Sequence, residues 1–163
     1  MKKTLLFAFA VAFIAALGTA QAEVTKKVQK TFRGQILITD APLPTGGATD
    51  AETISAFKKA RAKSLKHVES NGVAEWSFLF TAFLKKPPKV TSMSVDFYTA
   101  DREKLYVANK RLLGIDPKVP ILSGSLSISE DDGLVRGRTY MVKLTGSVRG
   151  KEVVFAETKV KMN

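Results

Sequence analysis

The stretch Trp76-Ser77-Phe78-Leu79-Phe80-Thr81-Ala82-Phe83-Leu84-Lys85 alternates with a period of two. Trp76, Phe78, Phe80, Ala82 and Leu84 share one parity, and Ser77, Leu79, Thr81, Phe83 and Lys85 share the other. Successive side chains of a strand point to opposite faces, so this is a β-strand. Both of its faces are largely apolar, which places it in the middle of a sheet with cover on two sides. Pro87-Pro88 ends it, because proline cannot donate to a ladder.

The same period extends outward in both directions. Val24, Val28, Phe32, Ile36 and Ile38 share a parity that Lys26 and Lys30 interrupt, giving a strand over about 28–39. Met93, Val95, Phe97 and Thr99 face inward, with Ser92, Ser94, Asp96 and Tyr98 outward. A shorter strand follows at about 105–110. Leu122, Gly124, Leu126 and Ile128 alternate with Ser123, Ser125, Ser127 and Ser129, which makes one buried face and one wet face. Tyr140, Val142 and Leu144 form another inward face, and Arg149-Gly150-Lys151 turns the chain into a last strand at 153–162. The result is a mainly β chain of about seven short strands, the pattern of an antiparallel sandwich or barrel.

One helix is expected among these strands. Thr49-Asp50-Ala51-Glu52 is a capping box, with a hydroxyl for a first-turn amide and a carboxylate that reaches back. The helix is expected over about 50–68 and to end at Asn71-Gly72. Ile54, Phe57, Leu65 and Val68 form its apolar stripe. Arg61 interrupts that stripe, its stem lying over apolar surface with the head in water.

The segment Leu134-Val135-Arg136-Gly137-Arg138-Thr139-Tyr140 resembles the corner before the penultimate strand of fibronectin type III and related immunoglobulin-like domains. Arg136 stands where those domains usually carry proline. The resemblance implies a β-sandwich in which the Tyr140 hydroxyl bonds back to nearby backbone, with Leu134 and Gly137 as the other corner residues. It covers roughly 76–162 and leaves the helix outside the pattern. A fold of this kind implies no activity, because it hosts many.

The chain opens Met1-Lys2-Lys3-Thr4, continues through an apolar run from Leu5 to Leu17, and reaches Ala20-Gln21-Ala22. This reads as a secretory signal peptide cleaved after Ala22, so a periplasmic or secreted protein of residues 23–163 forming one domain is expected. The mature part has no later run approaching the ~20 apolar residues of a membrane span. Removing the leader takes two lysines from the 26 basic residues, and 24 against 15 acids leave a net charge of +9.

Composition narrows the chemistry. No cysteine is present, which excludes thiol nucleophiles, thiolate metal sites and disulfides. The single histidine, His67, excludes a multi-histidine metal centre. As a general base it would need an oriented serine, and no Gly-x-Ser-x-Gly elbow is present. Glu130-Asp131-Asp132 lacks calcium-loop spacing and reads as a turn. Gly46-Gly47 precedes the helix without the Gly-Lys-Ser/Thr of a phosphate loop. No catalytic, cofactor-binding or metal residue is therefore assigned, and no cofactor is expected.

Basic residues are the directional signal. Lys58, Lys59, Lys63 and Lys66 on the helix, with Lys85, Lys86 and Lys89, are the candidate contacts to an anionic partner. Nucleic acid fits less well, since no recognition motif accompanies the charge and export separates the chain from the genome. The expectation is a non-catalytic envelope binding module for a protein or an anionic polymer. A periplasmic hydrolase using paired carboxylates and a subunit that associates through sheet edges are the alternatives. The sequence does not give the oligomeric state.

Overall fold

The computed structural model describes residues 24–163, and the leader read at 1–22 lies outside them. The first element corrects the strand expected from residue 28. Lys26–Phe32 is a helix, α1, and only Gln35–Thr39 is strand β1. Val24, Val28 and Phe32 are spaced by four, a multiple of two that is also a helical repeat. Lys26 and Lys30, out of place on a strand's inner face, lie on the helix's exposed side. Thr25 caps α1 by accepting from the Val28 amide at 3.3 Å, and Gly34, at φ +78°, turns the chain into β1.

The second helix, α2, covers Asp50–Ala60, and both hydrogen bonds of the Thr49/Glu52 capping box are formed. It stops eight residues before the expected end at Val68. Arg61 is already extended, and the Ala62 amide donates to Ile38. Two short strands follow, β2 (Ser64–Leu65) and β3 (Val68–Ser70). Leu65 leaves the helical stripe to pair beside Met162 in the interior, while Val68 is 72% exposed. Strand pairing and burial of Leu65 outweigh the local preference for more helix.

The remaining elements are β4 (Val73–Phe83), β5 (Ser92–Thr99), β6 (Tyr106–Leu113), β7 (Ile121–Ser129), a 3₁₀ turn at Glu130–Asp132, β8 (Thr139–Val148) and β9 (Lys151–Met162). β4 is the central strand that its two apolar faces predict. β7 runs along one edge, while β3 and β1 share the other. β9 likewise has β8 on one side, with β1 and β2 parallel to it on the other. All nine strands therefore belong to one mixed sheet that curls into a half-barrel. This corrects the two-layer sandwich implied by the immunoglobulin-like resemblance: β1 joins β4 to β9, so the two halves never separate into facing sheets.

Curling gives the sheet an inside and an outside. Trp76, Phe80, Phe97, Tyr140, Phe155 and Val160 fill the inside. Gly124 of β7 faces the same interior, where an added Cβ would lie 2.9 Å from the Phe80 ring. On the convex side, α1 and α2 cover β1 and the end of β4. Phe32, Phe57 and Phe83 form a triangle there with ring centroids 5.3–6.3 Å apart, over Leu37. The Tyr140 hydroxyl accepts from the Val135 amide at 2.8 Å, with Leu134 buried and Gly137 at φ +76°. A local tyrosine-corner contact is thus present in a sheet of different global order.

β6 pairs only with β5 and β7 only with β4, and no ladder joins the two. The Lys110 ammonium, on β6, reaches both Asp132 oxygens at 2.9 Å, and Asp132 also accepts from the Ser129 amide. Burial works to raise the Asp132 pKa, but the hydrogen bonds from Lys110 and Ser129 outweigh it and the net shift is downward. A lowered folded pKa contributes stability above the unfolded value, and that stability is lost as pH falls through the folded one. Asp132→Asn is therefore expected to flatten the loss of stability below about pH 4. Urea unfolding across an acid pH series measures it, and parallel wild-type and variant curves would contradict a stabilising Lys110–Asp132 pair.

Candidate functional site: a basic groove beside the helices

The site follows from how α1 and α2 are seated. Phe57 holds α2 against Phe32 and Phe83, so the last turn of α2 and the end of α1 stand side by side over the sheet. Between them and β9 lies a groove of about 550 Å³, lined by Thr31, Phe32, Gln35, Lys58, Arg61, Lys63 and Lys159. Lys58 comes from the last turn of α2, Arg61 from its C-cap, Lys63 from the residue before β2, and Lys159 from the convex face of β9. Arg61 lines the groove, and its guanidinium donates at 2.7 Å to the hydroxyl of Thr158, a buried residue on the opposite parity of β9 from Lys159.

Four cations and no carboxylate line this groove. The ion pairs among the described residues lie elsewhere: Lys110 with Asp132, Arg136 with Glu69 and Glu130, and Arg138 with Asp101. Hydrogen bonds from Arg136 and then the Ala74 amide hold Glu130 below the usual carboxylate range. The acids of those pairs are held away from the groove. The nearest carboxylate in the ladder is that of Glu157, opposite Gln35. Lys58 and Lys59 also complement the negative end of the α2 dipole, worth ~0.3–1 kcal/mol each. Lys63 and Lys159 have no such role.

The candidate contacts divide. Lys58 and Lys63 line the groove. Lys59 and Lys66 are exposed outside its lining. Lys85, Lys86 and Lys89 stand on the loop after β4, where the Lys85 stem lies 3.0 Å from the Cβ position of Gly34. Arg61 and Lys159 complete the site and are not among the candidates from the sequence. Glu157, Lys159 and Lys161 share one parity of the last strand, but what faces Lys159 depends on residues distant in the chain.

Other candidate chemistry is occupied structurally. His67 is not at a helix end: it lies between β2 and β3, with Nδ1 2.9 Å from the Asn163 main-chain oxygen. A second hollow, about 460 Å³, lies on β4 and β7 and has one carboxylate in its lining, Asp40. Hydroxyl pairs Ser77–Ser127 and Thr81–Ser123 lie 2.9 Å apart on the same two strands. No helix among the described residues is long and apolar enough to cross a membrane. No known protein family, curated protein or solved structure matches the chain.

Proposed function

We propose that the chain is an exported, non-catalytic binding module of the bacterial envelope, and that the basic groove takes an anionic polymer. The observation that carries this reading is the set Lys58, Arg61, Lys63 and Lys159 around one groove whose lining holds no carboxylate. Opposed cations in a concave, partly apolar setting concentrate counter-ions more than the same charges dispersed on a flat surface. Such attraction weakens with ionic strength, because the Debye length shrinks from ~10 Å at 0.1 M salt to ~3 Å at 1 M.

The test is retention of residues 23–163 on an immobilised polyanion at low and high salt. The wild type is expected to bind at low salt and to release as salt rises. Charge reversal at Lys63 and Lys159 together is expected to weaken low-salt binding at least about tenfold. Reversal at Lys85, Lys86 and Lys89 is expected to change it much less. Retention no greater than that of a charge-matched control overturns the reading. So does a larger loss from the Lys85–Lys89 loop than from the groove.

A further inference from the structure

Beyond the groove, the convex face continues without helical cover. Lys159 of β9 stands opposite Met141 of β8, Met141 opposite Tyr98 of β5, and Tyr98 opposite Tyr106 of β6. Adjacent strands are spaced by ~4.8 Å, so this row crosses about 14 Å of the face. At its far end the Tyr98 and Tyr106 rings meet edge to face, with centroids 5.7 Å apart. The Lys143 ammonium sits 4.5 Å from the Tyr98 centroid, which holds that ring in place. Tyr106 is left 56% exposed as an aromatic platform on an edge strand. On the groove side, the Lys161 amide donates to the Lys63 carbonyl at 3.1 Å, bringing a further lysine beside the row.

Acids flank this row as well, with Asp101 and Glu103 in the turn before Tyr106. Asp96 is buried, and its two oxygens accept from the Ser94 and Thr145 hydroxyls. Glu157 lies opposite Lys143 in the ladder, and Asp96 and then Glu152, the second residue of β9, add a negative field at Tyr98.

We propose that the groove's ligand is a linear anionic polysaccharide whose chain runs from the four cations along this row and stacks a sugar ring on Tyr106. The proposal rests on the groove reading and adds the ligand class and its path. A pyranose presents one face of C–H groups that an aromatic ring can cover, while its carboxylates or sulfates meet Arg61, Lys63 and Lys159. Single-stranded nucleic acid is the less suited polymer, because its sites stack successive bases on several rings. Here the only rings are the Tyr98–Tyr106 pair, of which Tyr98 is half-buried and has Lys143 over it, beside the neutral side chains of Met141 and Asn109.

Titration calorimetry with uronic-acid oligomers of two, four, six and eight sugars tests the path. Affinity is expected to rise at least tenfold from the dimer to the hexamer. Tyr106→Ala is expected to remove that gain and leave dimer affinity unchanged, while K63E with K159E lowers affinity at every length. Equal affinity at all lengths, or an unaltered hexamer affinity in Tyr106→Ala, overturns the path and leaves the groove standing. Failure of every uronate alongside binding of polyphosphate overturns the polysaccharide class alone. Tighter binding of a single-stranded DNA of equal charge overturns that class in favour of nucleic acid. Failure of all polyanions overturns both readings.

Discussion

Replacing Trp76 with alanine is expected to lower the unfolding free energy by ~3–5 kcal/mol. Trp76 is fully buried on the inner face of β4, the strand that pairs with three others. Its indole N–H donates to the Asn163 main-chain oxygen at 3.1 Å, and the His67 ring meets it edge-on at 6.2 Å. Truncation would remove the ring from the core, leave a cavity that the curled sheet cannot close, and strip a hydrogen bond from the chain terminus. Domains of this size are stable by ~5–15 kcal/mol, so the loss would be a large share of the whole. Urea unfolding measures it. A loss below about 1 kcal/mol would mean that Trp76 is not in a packed interior.

Phe57→Ala is expected to cost ~3 kcal/mol or more and to act on the other side of the sheet. Phe57 is the contact by which α2 meets Phe32 of α1 and Phe83 of β4. Without it, α2 loses its main seat and the groove loses one wall, with Lys58 and Arg61 freed from their positions. Polyanion binding should fall while the half-barrel persists. Trp76 is the only tryptophan and lies in the inner core, so its emission reports the half-barrel separately from the helices. Unchanged tryptophan emission with weakened binding is the expected pair of results. Full binding in Phe57→Ala would show that the helices do not build the groove.

The two substitutions separate what was readable in the chain from what was not. The alternation of Trp76 to Leu84 named both the strand and its inward residues, and the Thr49/Glu52 capping box placed a helix start correctly. Both signals are local: a period and a cap depend on residues within one turn or one strand. The α1 segment reads equally as strand or helix, because a spacing of four satisfies either period. The α2 end is not set locally, because Leu65 is drawn away by β9, nearly a hundred residues further on.

The site shows the same division. Lys58 and Lys63 are visible as basic residues near a helix end, but Arg61 looked like a cation over its own helix's stripe. The curl brings Thr158 to its guanidinium and Lys159 to the opposite wall.

By itself, the sequence determined that the chain is mainly β, which side chains of its long strands turn inward, where its second helix begins, and that its charge is positive with neither cysteine nor a histidine pair for chemistry. The tertiary structure decided the rest. Strand order is a property of long-range pairing, and period-two alternation is the same in a sandwich and in a curled sheet. Only the placement of β1 between β4 and β9 makes one half-barrel out of what reads as two sheets. The same curl gathers charges scattered from residue 58 to residue 159 into one groove.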